Sequence, residues 1–250
     1  MAQAVATRKP YTGPAQQRAK GPFLIELWRS TTGKKYLMAI TGVIGLGFIV
    51  AHMVGNLKMY LGPVDYNHYS EFLRELLVPI LPRTVALWLL RSVLILSLII
   101  HVACAWSLTI VNRKARPVRY QSQRDYVAAS FASRTMRVTG VIFSLFLLFH
   151  LADLTWGWFN PGFVRGEVMR NLHASLSRVP VAILYILGNL ALGIHLSHGL
   201  WSMFQSLGWN NPRFNSWRRG FARGFAALIV IGNLSFVVAW VTGALTYKAV

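Results

Sequence analysis

The chain has 250 residues, of which 54% are hydrophobic and 13% are charged, and its formal net charge is +19. A mean hydropathy of +0.44 excludes an ordinary soluble domain. The only cysteine is Cys104, which excludes an internal disulfide, an iron–sulfur cluster held by this chain alone, and a haem attached covalently through a CxxCH motif.

Five apolar segments are each long enough to cross a bilayer as a helix. They run over residues 36–60, 84–111, 138–159, 179–207 and 224–247. A hydrocarbon core of roughly 30 Å requires about 20 helical residues, and an open sheet cannot satisfy its backbone groups in lipid. The sequence therefore predicts an all-α membrane domain, a five-helix bundle over residues 21–250. Residues 1–20 are predicted to be a basic, disordered tail.

Lysine and arginine are concentrated in alternate connections between these segments. Residues 1–35 carry seven against one acidic residue, residues 113–137 carry seven against one, and residues 208–223 carry four against none. Because such an excess marks the cytoplasmic side, the N-terminus is predicted to be cytoplasmic and the C-terminus external. The positive charge then reflects topology and attraction to anionic membrane lipid, and no nucleic-acid partner is expected.

Short helices are predicted at the membrane interfaces. Residues 21–29 have the pattern of an amphipathic helix at the inner surface. Residues 66–78 and 167–177 are candidate outer helices, the first of them ended by prolines. Residues 209–219 form an aromatic and basic inner connection, and no tandem repeat is apparent.

Five histidines lie inside the apolar segments, where an ionisable side chain needs a partner. One is found in each of the first three segments and two in the fourth: His52, His101, His150, and His195 with His198. A single transmembrane histidine is ordinarily explained by a hydrogen bond to a neighbouring helix. Imidazoles on four helices, however, can clamp one ligand from opposite sides, as haem iron requires.

Depth in the membrane sorts four of these histidines into two pairs. Counted at about 1.5 Å of rise per residue, His52 and His150 share the outer half of the membrane, and His101 and His195 share the inner half. The offset between the pairs, about nine residues, corresponds to roughly 13 Å. Two stacked haems b, each with two histidine ligands, fit this arrangement. His198 competes with His195 on nearly the same helix face, but depth favours His195.

Several sequence strings resemble one family. They are residues 30–35 (STTGKK), residues 51–56 (AHMVGN), His101 and His150 within their segments, and residues 195–208 (HLSHGLWSMFQSLG). Over about residues 22–247 the chain is similar to the dihaem cytochrome b subunit of succinate dehydrogenase and fumarate reductase, the five-helix membrane anchor found in prokaryotic cytoplasmic membranes.

This resemblance implies a complex with a flavoprotein subunit and an iron–sulfur subunit on the cytoplasmic face. Succinate, an intermediate of the tricarboxylic acid cycle, would be oxidised there, and electrons would pass to a quinone, usually menaquinone in dihaem members. The family's ligand positions fall on His52 and His150 for the distal haem, and on His101 and His195 for the proximal haem. Family members with asparagine at the position of His198 still function, which favours His195 as the ligand.

Further residues are candidates for contacts with a quinone or with a haem propionate. Asp153, one turn beyond His150, could relay protons to a quinone or be an interfacial residue that is hydrogen-bonded to nearby donors. Arg91 could neutralise a propionate or snorkel to the surface. Four residues at the inner interface could contact a quinone ring or belong to an ordinary interfacial belt; they are Trp28, Arg29, Ser30 and Thr31.

Two other functions compete with the dihaem anchor. Another dihaem cytochrome b, such as one associated with a hydrogenase, would share the histidines but lack the HGLWSxFQ string. A haem-free transporter could use histidines to relay protons, but such proteins more often show paired carboxylates or broken helices near the midplane, and neither is apparent in the sequence.

Overall fold

The computed structural model describes residues 21–115 and 131–247, with the backbone alone for residues 131–134. The tail over residues 1–20 and most of the connection after the second span lie outside the described residues. Within them the chain is predominantly helical and contains no strand. The prediction of an all-α membrane bundle is confirmed, since five helices are long and apolar enough to cross a membrane.

Eight α-helices are found in the described residues. The five long ones are α2 (Thr31–Asn56), α4 (Val85–Lys114), α5 (Phe131–Leu154), α7 (Val179–Ser206) and α8 (Asn215–Val241); the three short ones are α1 (Phe23–Arg29), α3 (Pro63–Arg74) and α6 (Val168–Leu176). Short helices were predicted at all three places. The first of the two outer helices begins earlier than expected, because Gly62 adopts a φ of +107° and Pro63 then occupies the first helical turn. It also ends earlier, at Arg74 instead of residue 78, so the prolines do not end it.

The third span ends sooner than hydropathy indicated, at Leu154 instead of residue 159. The amides of Thr155 and Trp156 both bond to the carbonyl of Leu151, and Gly157 has a φ of +73°. A glycine in the left-handed region is a common helix terminator. The apolar residues that follow are therefore aromatic side chains beyond the helix end, and not a continuation of the span.

The fifth span was also misplaced: the structure has it at Asn215–Val241, where the sequence indicated 224–247. Basic residues at its start are helical, because arginine is a good helix former and the apolar boundary does not mark where a helix begins. The prediction that residues 209–219 form a connection is correct only up to residue 214. At the other end the chain turns at Gly243, whose φ is +75°.

The long helices form two hairpins and a fifth helix. Helix α2 packs along α4, α5 packs along α7, and α8 packs along α7 while also touching α2. In the described ranges, α2 and α5 do not pack along each other, and neither do α4 and α7. Helix α2 also touches α7, so the two hairpins meet along these helices. We call the space on either side of that contact, between α2 and α5 and between α4 and α7, the cleft.

One end of the bundle is closed by the short helices α3 and α6. Met59, Met169 and Trp240 belong to the apolar core at this end. Tyr66 donates a hydrogen bond to the side-chain oxygen of Asn56 at 2.8 Å, and burial raises the pKa of its phenol, so the group remains a donor. This closed end fixes where α2 stops and α4 begins.

Candidate functional site

Two pairs of imidazoles face each other across the cleft. His52 on α2 and His150 on α5 have ring centroids 5.9 Å apart with an interplanar angle of 87°. His101 on α4 and His195 on α7 have centroids 6.4 Å apart at 58°. We call these the outer pair and the inner pair, after their expected depths. Each pair joins two helices that do not otherwise pack along each other.

The ring separations suit two imidazoles on one metal. With a metal–nitrogen bond of about 2 Å and a nitrogen about 1.1 Å from its ring centroid, two opposed imidazoles have centroids roughly 6 Å apart. Two imidazoles are also the axial ligand set of many haem irons. Among the described residues, no group of three or more histidine, cysteine or acidic side chains is placed to hold a bare metal ion. The four histidines therefore fit haem better than a bare cation.

Glycines make room for the inner pair. A Cβ added at Gly42 on α2 would lie 3.6 Å from Cε1 of His101, and one added at Gly140 on α5 would lie 3.3 Å from Cε1 of His195. Each inner histidine thus rests against a glycine of the neighbouring helix in its own hairpin. A larger residue at either position would meet the imidazole.

A hydrogen bond indicates the tautomer of His101. The hydroxyl of Thr41 donates to the carbonyl of Leu37 at 2.7 Å and lies 3.1 Å from Nδ1 of His101. A threonine hydroxyl has one proton, so Nδ1 of His101 is the donor in the second contact. Its Nε2 then carries a lone pair, which is the form of imidazole that binds a metal.

The other three rings are held differently. Nδ1 of His150 lies 3.2 Å from the hydroxyl of Tyr185. Nδ1 of His195 is buried and has no side-chain partner among the described residues, although the backbone of Met136 lies close to this imidazole. His52 is exposed at the cleft and stacks on Phe48, with centroids 5.4 Å apart. Of the four imidazoles, that of His52 is therefore the least restrained.

The two hairpins share a sequence motif that was not recognised in the sequence analysis. Residues 38–52 and 136–150 both read Met-x2-Thr-Gly-Val-Ile-x3-Phe-x3-His, and residues 96–101 and 190–195 both read Leu-x-Leu-x-Ile-His. The absence of a repeat was thus a wrong prediction, because the shared positions are scattered along helix faces. Each histidine pair joins equivalent positions of the two halves.

His198 lies outside the facing pairs. It is half-buried on α7 and makes no ring contact in the part of the chain that the structure describes, whereas His195 contacts His101. Arg91 is exposed and lies over the ring of Trp88, 5.1 Å from its centroid. A role for either residue toward a propionate or quinone stays a prediction.

Asp153 is brought close to the outer pair by the fold. It is fully buried, forms an ion pair with Arg178 at 2.8 Å, and accepts hydrogen bonds from Ser175 and Tyr185. Tyr185 also contacts His150. The alternative in which Asp153 is hydrogen-bonded to nearby donors agrees with these contacts, and a role in relaying protons to a quinone stays a prediction.

The four candidates near α1 are all exposed. Trp28, Arg29 and Thr31 are exposed, and the side chain of Ser30 caps α2 by accepting from the amide of Gly33 at 2.9 Å. Serine is a preferred residue at this position, which satisfies a free amide of the first turn. The role of Ser30 in the fold is therefore explained without a ligand.

Two buried cations were missed by the sequence analysis. Lys34 is only 8% exposed, and its ammonium donates to the hydroxyl of Ser107 at 2.7 Å, which ties α2 to α4. Arg218 is 3% exposed and donates to the carbonyl of Trp209 and to the side chain of Asn215. Both residues lie in basic stretches of the sequence, where nothing distinguishes a buried cation from a solvated one.

Comparison with known proteins identifies the family. The family described as "Succinate dehydrogenase/Fumarate reductase transmembrane subunit" matches residues 109–234, just over half of the chain, from the end of α4 into α8. His150 and His195 lie within this match, and His52 and His101 lie before it. Neither the curated proteins nor the solved structures gave a match. The chain belongs to the succinate dehydrogenase and fumarate reductase transmembrane subunits, and is a multi-pass membrane subunit of that class of complex.

Proposed function

We propose that this chain is the dihaem cytochrome b subunit of a succinate:quinone oxidoreductase. The observation that carries the proposal is the presence of two facing imidazole pairs, each bridging the two hairpins across the cleft. His52 and His150 would hold one haem b, and His101 and His195 the other. Haem iron in these positions supplies reversible one-electron transfer.

The protein's own side chains prepare the ligands. Thr41 and Tyr185 orient His101 and His150 through Nδ1, while Gly42 and Gly140 leave space for the inner rings. Such contacts behind a ligand fix its tautomer and raise its basicity.

Electrons would enter at the α1 end of the bundle and leave to a quinone, for which menaquinone is the candidate from the family resemblance. Arg213, Arg219 and Arg223 are exposed on this side, at the start of α8 and just before it. Together with the other basic connections they favour a cytoplasmic N-terminus in a prokaryotic membrane.

A flavoprotein subunit and an iron–sulfur subunit would dock on the same face and supply the electrons from succinate. Residues of the α1 region, including Trp28, lie where a quinone could approach from that side.

The test is haem stoichiometry in the purified complex, measured by pyridine haemochrome. Two non-covalent haems b per chain are expected. His52→Ala or His150→Ala should remove one of them, and His101→Ala or His195→Ala the other, each with a distinct low-spin spectrum. His68→Ala and His173→Ala, which alter histidines of the short helices α3 and α6, should keep both. One haem or none in the unaltered complex would overturn the proposal.

A further inference from the structure

A buried polar chain leads from the end of α7 nearest α3 and α6 to the outer histidine pair. Arg178 precedes α7 and places Nη2 2.8 Å from Oδ1 of Asp153, which is wholly buried on α5. Oδ2 of Asp153 accepts from the hydroxyls of Ser175 and Tyr185, the latter at 3.2 Å. The hydroxyl oxygen of Tyr185 lies 3.2 Å from Nδ1 of His150.

The direction of these hydrogen bonds follows from the number of protons that each group can donate. A carboxylate paired with a guanidinium can only accept, so Tyr185 gives its single proton to Asp153. The phenol oxygen must then accept from Nδ1–H of His150. The sequence of donors runs from His150 through Tyr185 to Asp153, and it leaves Nε2 of His150 with a free lone pair.

The arrangement has no equivalent in the other half of the molecule. His52 matches His150 in the shared motif, but the residue three positions later is Gly55 where the second half has Asp153. No hydrogen bond to His52 is found within residues 21–115 and 131–247. Of the two outer imidazoles, only that of His150, on α5, is therefore linked through hydrogen bonds to a charged group.

We propose that Tyr185 and Asp153 are positioning residues, which orient the imidazole of His150 and donate electron density to it. This inference rests on the proposed function, since it concerns the haem that the outer pair would hold. A ligand whose second nitrogen donates toward a carboxylate is a stronger base. It stabilises ferric over ferrous iron, so the network lowers the reduction potential of the outer haem and leaves the inner haem unaffected.

The experiment is a potentiometric titration of both haems in the purified complex, with electron paramagnetic resonance of the ferric forms. Tyr185→Phe keeps the ring and removes only the hydroxyl, so it is the principal variant. Asp153→Asn removes the charge and keeps the shape. Thr41→Val is the matched control, because it removes the corresponding acceptor behind His101 in the inner pair.

The midpoint potential of the outer haem should rise in Tyr185→Phe and in Asp153→Asn, with a changed outer ferric signal and an unchanged inner one. Thr41→Val should show the reverse selectivity. If Asp153 acts through Tyr185, the Asn change should add little in the Phe background. Loss of the outer haem alone in Tyr185→Phe would equally support the orienting role, since the fold and the inner haem would be intact.

An outer potential and signal that stay unchanged in Tyr185→Phe, while the complex still binds two haems, would overturn this inference and leave the proposed function standing. The proposed function fails on a different observation, namely that the unaltered complex lacks a haem whose binding depends on His52 and His150.

Discussion

His195 faces His101 across the cleft with ring centroids 6.4 Å apart, whereas His198, one turn further along α7, has no aromatic ring against it among the described residues. This difference separates two histidines that the sequence places on nearly the same helix face.

His195→Ala should therefore remove the inner haem while the outer pair keeps its own, and haem reduction by succinate should slow sharply. His198→Asn should keep both haems, because asparagine can replace a hydrogen bond of imidazole but not its bond to iron. A haem lost from the Asn variant and kept by the Ala variant, measured by pyridine haemochrome, would refute the assignment.

Gly140 should be intolerant of side chains. An added Cβ would lie 3.3 Å from Cε1 and 3.5 Å from Nδ1 of His195, and valine places two more methyl groups in the same space. We expect Gly140→Val to displace His195 and to reduce occupancy of the inner haem selectively. Gly224→Val on α8 is the control, since no heavy atom lies within 4 Å of its added Cβ. Haem difference spectra of the two variants measure this occupancy. An equal inner-haem signal in both variants would contradict the prediction.

Arg218 should stabilise the connection between α7 and α8. Its guanidinium is buried and donates to carbonyl oxygens of that connection, so Arg218→Met removes these charge-assisted hydrogen bonds. We expect a loss of about 2 kcal/mol, seen as a lower temperature of thermal inactivation and faster proteolysis within residues 207–214. Arg219→Met is the matched control, because Arg218 and Arg219 both lie over the ring of Trp201, at 5.1 and 5.0 Å, but Arg219 is exposed. Similar losses in both variants would contradict a specific role for Arg218.

Succinate oxidation should depend on the soluble partner subunits. The purified chain alone should not reduce its haems with succinate, while dithionite should reduce both. Adding back the flavoprotein and iron–sulfur subunits should restore reduction by succinate, which stopped-flow absorbance would follow. Succinate-dependent reduction by the isolated chain would contradict the anchor function.

The number of spans and the helices that carry histidines could be predicted from the sequence, because both follow from hydropathy and length. Depth alone also indicated which histidines would share a level. The ends of the helices were harder to predict. The third span stops at Leu154 because of a glycine turn, and the fifth begins at Asn215 because helical propensity extends beyond the apolar segment. Hydropathy reports where a side chain is apolar, and says little about where backbone hydrogen bonding starts.

The environment of Asp153 could not be predicted from the sequence. Its partners Ser175, Arg178 and Tyr185 are 22 to 32 positions away along the chain. They converge only because α6 and the start of α7 fold back onto the end of α5. Lys34 was obscured for a related reason, since its burial depends on Ser107 of another helix, 73 positions away.

The shared motif of the two hairpins has a consequence for the ancestry of the fold. One hairpin supplies one ligand to the outer pair and one to the inner pair, so two identical hairpins related by a two-fold axis along the membrane normal would complete both sites. The chain has the form of such a dimer fused into one polypeptide, a parallel repeat of the kind seen in some transporters. Fusion frees each half to change separately, which explains how a carboxylate could arise behind His150 while its counterpart behind His52 is a glycine.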